Sequence, residues 1–218
     1  MKGILVVASG FSGAGKGTIM KKLMSEKGDS YALSISATTR APREGEEHGR
    51  EYFFLTTEEF EAMIIRDELV EYAKYVNNYY GTPKAYLEEQ LNAGKNVILE
   101  IEIQGALKIK EKFPDTVLMF ITAPNALELK NRLIGRGTET QDVIEARMSR
   151  AYEESLGVEK YDYIVVNDDL DSCVELIHDI IQKERTKETD AHTANRVSEN
   201  LELINNIRNE LLSYLKGV

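Results

Sequence analysis

A glycine-rich run near the amino terminus constrains the fold of this chain more than any other feature. It reads Gly10-Phe-Ser-Gly-Ala-Gly-Lys-Gly-Thr18, and it stands between an apolar run at 4–8 and a segment with helical spacing of apolar residues at 18–27. Glycine lets the main chain turn so that several N–H groups point at one phosphate, and the helix that follows adds the positive end of its dipole. The run therefore predicts a phosphate-binding loop between a buried strand and a helix.

The loop fits the pattern G-x-x-x-x-G-K, in which the lysine reaches the β- and γ-phosphates of a nucleotide. Gly17 stands where Ser or Thr usually contacts Mg²⁺, so either Thr18 or a water molecule takes that contact. The pattern does not separate kinases from GTPases or ATPases, and a plain glycine turn is the structural alternative. The residues predicted to bind the phosphates of the nucleotide are Gly10, Phe11, Ser12, Gly13, Ala14, Gly15, Lys16, Gly17 and Thr18.

Apolar runs that indicate buried strands alternate with segments of helical spacing along most of the chain. The strand-like runs are at 4–8, 96–101, 117–121 and 162–166, and the helical segments are at 83–94, 104–113 and 125–156. This alternation predicts an α/β fold, a three-layer P-loop core with a parallel sheet covered by helices.

Residues 33–82 interrupt the alternation with short runs at 33–37, 52–55 and 69–72. Thr56-x-x-Glu59 fits a capping box at the start of a short helix. We expect a small α+β subdomain inserted in the core. The segment at 125–156 is rich in arginine and contains Gly135 and Gly137, which favours two helices joined by a turn that moves as a lid.

The carboxyl-terminal segment, 187–218, begins with a polar linker. Apolar residues then recur at helical spacing at Val197, Leu201, Ile204, Ile207, Leu211 and Leu215. An amphipathic helix at 194–217 is expected, packed on its own core or on a second copy of the chain. The core itself is assigned to 1–32, 83–124 and 157–186.

The net charge of −10 argues against general binding to nucleic acids or acidic membranes. Bound phosphates must therefore meet arginines that are grouped locally. Cys173 is the single cysteine, so no intrachain disulfide forms and a cytoplasmic protein is expected. No apolar run approaches the roughly 20 residues that a membrane-spanning helix requires.

Two carboxylates lie in the apolar run Leu99-Glu-Ile-Glu-Ile103. The two-residue period of a strand predicts that Glu100 and Glu102 share one face. Buried carboxylates need partners, and parallel sheets bind ligands at the carboxyl ends of their strands. We therefore assign Glu100 to the Mg²⁺ shell or its waters and Glu102 to a base edge. Pairing with nearby Lys or Arg side chains is the alternative.

Several separate motifs resemble the guanylate kinase family, in order and at matching spacing, over about residues 3–186. The motifs are Ser-x-Ser-x-Thr-Thr-Arg-x-Pro-Arg at 34–43, Gly-Arg-Glu-Tyr-x-Phe at 49–54, Glu-Tyr-Ala at 71–73, Asn-Tyr-Tyr-Gly-Thr at 78–82, Gln-Gly at 104–105, Arg-Gly-Thr-Glu at 136–139 and Val-Asn-Asp at 166–168. Glu102 departs from the family, which usually has aspartate there. The resemblance implies transfer of the γ-phosphoryl group of ATP to GMP, and to dGMP, with Mg²⁺ as cofactor.

The resemblance also implies a role for each matching residue. Those expected to face guanine are Ser36, Glu71, Thr82 and Glu102, and those expected to hold the GMP phosphate are Arg40, Arg43, Tyr52 and Tyr80. The lid arginines expected to clamp the transferring group are Arg132, Arg136 and Arg147, and the residues expected beside the adenine of ATP are Asn167 and Asp168.

Glu71 fits guanine on chemical grounds. Guanine presents N1–H and an exocyclic amine side by side, and one carboxylate can accept from both. Adenine presents a lone pair at N1, which an ionised carboxylate repels. A site that pairs a polar edge rejects an analogue lacking it by ~10⁴-fold in good cases.

Three alternatives stay open at this point. A guanylate-kinase-like scaffolding domain binds proteins and typically lacks a complete phosphate loop, whereas Lys16 and its glycines are present here. A kinase for a different monophosphate disagrees with Glu71 and Ser36. A regulatory GTPase is disfavoured because the sequence has no Asn-Lys-x-Asp motif.

Overall fold

The fold is that of a computed structural model, which describes residues 1–75, 77–135, 137, 140–188 and 192–216. Helices and strands alternate over most of this part of the chain. In order they are β1 (Leu5–Gly10), α1 (Lys16–Lys27), β2 (Tyr31–Leu33), β3 (Ala37–Thr38), β4 (Phe53–Phe54), α2 (Thr57–Ile65), β5 (Leu69–Tyr75), β6 (Asn78–Pro83), α3 (Lys84–Asn92), β7 (Asn96–Leu99), α4 (Ile103–Lys112), β8 (Val117–Thr122), α5 (Ala126–Ile134), α6 (Gln141–Ser155), β9 (Tyr163–Val166), α7 (Leu170–Thr186) and α8 (Leu201–Lys216).

The central sheet has the strand order β2-β7-β1-β8-β9, and each neighbouring pair is parallel. Its strands are almost wholly buried because helices cover both faces. The predicted α/β fold with a parallel sheet is confirmed. Two details of the prediction were wrong. Strand β2 was not expected in this sheet, and β7 ends at Leu99 rather than at Ile101.

A second sheet, of order β4-β3-β6-β5, is built from the chain between β2 and α3. It packs over a small apolar cluster of Ala37, Phe60 and Leu69. The Thr56 hydroxyl accepts from the Glu59 N–H while the Glu59 carboxylate accepts from the Thr56 N–H, so the predicted capping box is confirmed. The strand expected at 33–37 was wrong, because 34–36 is an irregular link between the two sheets.

Strand β6 also escaped prediction, since Asn-Tyr-Tyr-Gly-Thr-Pro lacks alternation of apolar and polar residues. Its central Gly81 is required by packing. A Cβ there would lie 2.8 Å from the Glu71 carbonyl oxygen and 2.9 Å from the Tyr72 Cβ. The β5–β6 hairpin therefore closes only with glycine at this position.

The helical segment at 125–156 divides into α5 and α6, as the glycines in it indicated. Helix α5 ends with Gly135 as its C-cap, and Gly137 has a φ of 67°. That φ lies in the left-handed region, which favours glycine.

Helix α8 packs on the core of its own chain. Ile204, Ile207 and Leu211 are buried, whereas Leu201 and Leu215 stay exposed. The predicted start at 194 was wrong, because 193–195 and 197–199 form short 3₁₀ turns and the helix begins at Leu201. Within the described ranges, no helix combines the length and the apolar character needed to cross a membrane.

If α8 belongs to the core, Leu211→Ala should destabilise the protein strongly. Leu211 is fully buried, and truncating a buried leucine costs about 2–5 kcal/mol. Leu215→Ala is the matched control, because Leu215 is 38% exposed and lies on the same helix. Urea unfolding measures both changes. Equal, small losses for the two variants would show that α8 is not packed on the core.

Candidate active site

The glycine-rich loop joins the carboxyl end of β1 to the first turn of α1, as predicted. Gly15 has a φ of 90°. A Cβ at Gly15 would lie 2.5 Å from the Asn167 side-chain nitrogen, and one at Gly10 would lie 2.1 Å from the Ile121 carbonyl oxygen. The loop therefore needs glycine both for its conformation and for its close approach to β8 and the end of β9. It lies where open parallel sheets bind ligands.

Lys16 folds back over this loop. Its ammonium group donates to the Gly10 carbonyl oxygen at 2.5 Å and to the Phe11 carbonyl oxygen at 3.1 Å. Burial raises the pKa of the Glu100 carboxyl and of the Glu154 carboxyl, and the nearby Lys16 charge opposes the rise in both. The lysine is thus held at the loop by two main-chain oxygens, and its charge favours the ionised form of both carboxyls.

Asn167 supports the loop from below. It is 7% exposed, its side-chain amide donates to the Ala14 carbonyl oxygen at 2.8 Å, and its main-chain N–H donates to Thr122. The Asn167 side chain therefore lies beneath the loop, and its expected place beside the adenine stays a prediction. Asp168 is exposed next to it.

Two of the three lid arginines lie in the described part of the chain. The Arg147 guanidinium donates to the Ser12 hydroxyl at 2.5 Å, so α6 contacts the glycine-rich loop directly. Arg132 on α5 forms an ion pair with Glu128 at 2.7 Å. Arg136, the third, lies outside the described residues.

A cleft of about 580 Å³ lies between the two sheets. It brings together most of the residues assigned to the base and phosphate of GMP, with Glu100 in its wall. Lining it are Ser36, Tyr52, Glu71, Tyr80, Glu100, Glu102, Gln104 and Lys108.

Glu71 projects from β5 into this cleft with its side chain largely enclosed. Burial raises the pKa of the Glu71 carboxyl, while the Thr82 hydroxyl and the charges of Lys108 and Lys112 act in the opposite direction. Thr82 was expected to face guanine. It is fully buried, and its hydroxyl donates to a Glu71 carboxylate oxygen at 2.8 Å, so it holds the carboxylate from behind.

Arg40 is held at the rim of the cleft by a carboxylate that sequence reasoning missed. Its guanidinium pairs with Glu46 at 2.9 Å and lies 5.4 Å from the Tyr52 ring centre and 5.7 Å from that of Phe54. Arg43 is exposed, and its main-chain N–H donates to the same Glu46 carboxylate. Glu46 sits in a polar, acidic loop, which looked like solvated surface in the sequence.

The pair of carboxylates after β7 is arranged differently from the prediction. Since β7 ends at Leu99, neither Glu100 nor Glu102 lies on the strand, and Glu102 is instead the N-cap residue of α4. The Glu102 carboxylate accepts from Arg150 of α6 at 2.6 Å, and Arg150 also donates to Glu154 at 3.2 Å. Pairing with an arginine, the alternative considered from sequence, is therefore what Glu102 does here.

The two residues assigned to Mg²⁺, Thr18 and Glu100, would provide only a few of its ligands. Thr18 is exposed in the first turn of α1, and Glu100 lies within the influence of the Lys16 charge. No cluster of three or more His, Cys, Asp or Glu side chains that could hold a metal occurs among the described residues. Mg²⁺ commonly binds through one or two carboxylates, with phosphates and waters completing its shell. Thr18 and Glu100 are consistent with that kind of site.

Comparisons with known proteins point to one family. A guanylate kinase family model matches residues 2–184. The chain is 50% identical over 186 residues to a guanylate kinase of Halalkalibacterium halodurans, covering 85% of this chain and 91% of that protein. It is 50% identical over 209 residues to a guanylate kinase of Caldanaerobacter subterraneus subsp. tengcongensis, covering 96% and 97%.

The fold agrees with a solved structure of the same family. A crystal structure of guanylate kinase from Anaplasma phagocytophilum superposes with a TM-score of 0.65 at 29% identity. The match covers 100% of this chain and 97% of that one, so it includes the carboxyl-terminal helix.

Replacing Thr82 with valine should raise the pKa of the Glu71 carboxyl further. The variant removes the hydroxyl that donates to the charged form and leaves the burial that favours the neutral form. Titration of the Glu71 carboxyl carbon by NMR should therefore give a midpoint at higher pH. Thr38→Val is the control, because Thr38 is equally buried but donates to the Tyr79 carbonyl oxygen. An unchanged midpoint in Thr82→Val would contradict the assigned contact.

Proposed function

This chain belongs to the guanylate kinase family, whose members are nucleoside monophosphate kinases, and we propose the residues by which it transfers the γ-phosphoryl group of ATP to GMP. One observation carries the assignment of roles. The cleft that contains Glu71 is also lined by Ile101, whose carbonyl oxygen accepts from the Ser9 hydroxyl at 2.6 Å, one residue before the glycine-rich loop. The purine-binding cleft and the phosphate loop are thus neighbours, so an acceptor phosphate bound between them can meet the γ-phosphoryl group of ATP.

At the ATP end, the main-chain N–H groups of 10–18 and the amino terminus of α1 bind the phosphates. When ATP binds, the Lys16 ammonium group exchanges the Gly10 and Phe11 carbonyl oxygens for β- and γ-phosphate oxygens. The exchange costs little free energy because the ammonium group already lies at the loop. Thr18 and Glu100, directly or through waters, would hold Mg²⁺, which would neutralise charge on the phosphates.

At the acceptor end, Arg40, Arg43, Tyr52 and Tyr80 bind the phosphate of GMP. Arg40 is already oriented by the rings of Tyr52 and Phe54, so an incoming phosphate replaces the Glu46 carboxylate without moving the guanidinium far. A guanidinium binds a phosphate and a carboxylate with the same planar geometry, which makes the exchange direct.

The guanine base is read by Glu71, with Ser36 and Glu102 at the cleft wall. The ionised Glu71 accepts from N1–H and the exocyclic amine, and Thr82 fixes its orientation. AMP offers a lone pair at the same place, so it leaves the carboxylate unpaired. The complete phosphate loop and Lys16 argue against a scaffolding domain that only binds proteins.

The transfer step needs no general base, because the GMP phosphate is already an anion. It needs the donor and acceptor oxygens in line and cations around the charge that spreads in the transition state. Arg132 and Arg147, with Arg136, belong to a lid at 125–156 that closes over the phosphates and excludes water.

We assign 33–82 to the GMP-binding subdomain. A cytoplasmic location fits the single cysteine, Cys173, which is buried as a free thiol.

Variants at the phosphate loop and in the cleft should separate binding from turnover. Lys16→Ala should abolish GDP formation while GMP still binds, since Lys16 contacts only the ATP phosphates. Glu71→Gln should weaken GMP binding by about 10- to 100-fold, because hydrogen bonds to a charged group contribute roughly 1.5–3 kcal/mol, and should leave ATP binding unchanged.

Calorimetry with GMP and with ATP, together with initial rates of GDP formation, measures both effects. Each variant serves as the control of the other. Loss of GMP binding in Lys16→Ala, or an unchanged affinity for GMP in Glu71→Gln, would contradict the division of roles between the two ends.

A further inference from the structure

Helix α8 contacts the two proposed lid helices at their fixed ends. Helix α5 begins at Ala126, where the chain leaves β8, and α6 ends at Ser155, before the chain returns to β9. Glu210 of α8 reaches the first of these points and Arg208 reaches the second. The family model matches residues 2–184 and does not include this helix.

Glu210 binds the amino terminus of α5. Its carboxylate accepts from the Ala126 N–H at 2.8 Å, and the Asn125 side chain accepts from the Glu128 N–H at 2.8 Å. These N–H groups have no partner within the helix. A carboxylate at this end also complements the positive end of the helix dipole. The first turn of α5 is thus fixed by its own cap and by a side chain from α8.

Arg208 binds the carboxyl terminus of α6. Its guanidinium donates to the Ser155 carbonyl oxygen at 2.8 Å and to the Glu159 carboxylate at 2.7 Å. A cation at this end complements the negative end of the helix dipole. The Arg208 side chain is 19% exposed, so solvent weakens its contact with the Ser155 carbonyl oxygen less than it would on an open surface.

Each of the two helices that α8 holds at one end carries an arginine assigned to the lid. On α5, Glu128 in the first turn forms the ion pair that orients Arg132 at 2.7 Å. On α6, Arg147 lies about two turns before Ser155 and donates to Ser12 of the phosphate loop. A shift of either helix end therefore changes where an arginine meets the phosphates.

We propose that Arg208 and Glu210 are positioning residues for phosphoryl transfer, which hold the ends of α5 and α6 so that Arg132 and Arg147 reach the transferring group. The proposal rests on the proposed function, and it gives the carboxyl-terminal helix a part in catalysis. Lys130 of α5 over the Tyr214 ring of α8, at 4.3 Å, is a further contact in the same seam. The proposed lid then moves about two fixed contacts with α8, that of Glu210 with Ala126 and that of Arg208 with Ser155.

Single variants test the proposal through the split between kcat and KM. Glu210→Ala and Arg208→Leu should each lower kcat by about 3- to 30-fold, because small misplacements of catalytic groups are costly. The KM for GMP should stay within about 2-fold, because the base pocket lies on other elements. Glu210→Gln keeps an acceptor for the Ala126 N–H and should recover most of kcat. Arg208→Lys keeps the charge and should recover part of it.

Two controls separate positioning from stability. Glu202→Ala removes an exposed carboxylate from the first turn of α8 and should change neither constant. Leu87→Ala truncates a buried residue of α3, far from these contacts, and should lower stability without lowering kcat per folded molecule. Rates are measured well below each melting temperature and normalised to folded protein.

Double variants test whether Glu210 acts through Arg132 and Arg208 acts through Arg147. Glu210→Ala added to Arg132→Ala should slow the reaction no further than Arg132→Ala alone, and Arg208→Leu should likewise add nothing to Arg147→Ala. Full additivity in both pairs, or unchanged kcat in Glu210→Ala and Arg208→Leu, would overturn the proposal while the unaltered chain still forms GDP. Absence of GDP formation by the unaltered chain would overturn the proposed function instead.

Discussion

The structure depends on keeping the main chain of one glycine-rich loop available for phosphates. Loop N–H groups that point at a ligand cannot be bonded within the protein, so the loop must be held by its other atoms. Asn167 does this from below through the Ala14 carbonyl oxygen, and Lys16 does it from above through Gly10 and Phe11. Arg147 adds a contact from α6 to the Ser12 hydroxyl. The parallel sheet, its covering helices and α6 all meet at this loop.

The second constraint is electrostatic. A protein of net charge −10 must bind two polyanions. In the proposed function, two of the arginines assigned to the substrates start from an ion pair with a carboxylate that a phosphate can replace: Arg40 with Glu46, and Arg132 with Glu128. In both pairs a phosphate offers the guanidinium the same planar, charged contact that the carboxylate gives up. The same carboxylates keep the guanidinium groups oriented before the substrates arrive.

Sequence reasoning was strongest where one physical rule dominates. The buried strands were predictable because both of their faces are apolar, and the phosphate loop was predictable because glycine and lysine have few other uses at that spacing. The strand period failed after Leu99, where the chain turns into α4 and Glu102 becomes an N-cap residue. Strand β6 carries no alternation, so only its pairing with β3 and β5 defines it.

Contacts between distant segments were the least predictable part of the site. No local sequence pattern predicts these contacts, which depend on the folded arrangement: the pairing of Glu46 with Arg40, the burial of Thr82 behind Glu71, and the two contacts of α8 with α5 and α6. The central claim is that the phosphate loop binds ATP while Glu71, in the neighbouring cleft, reads guanine. The most direct test is a coupled assay of ADP release with magnesium, ATP and each of GMP, AMP, UMP and CMP. Rapid release with GMP alone is the predicted result, and release with AMP at the same rate, or with none of the four, would contradict the claim.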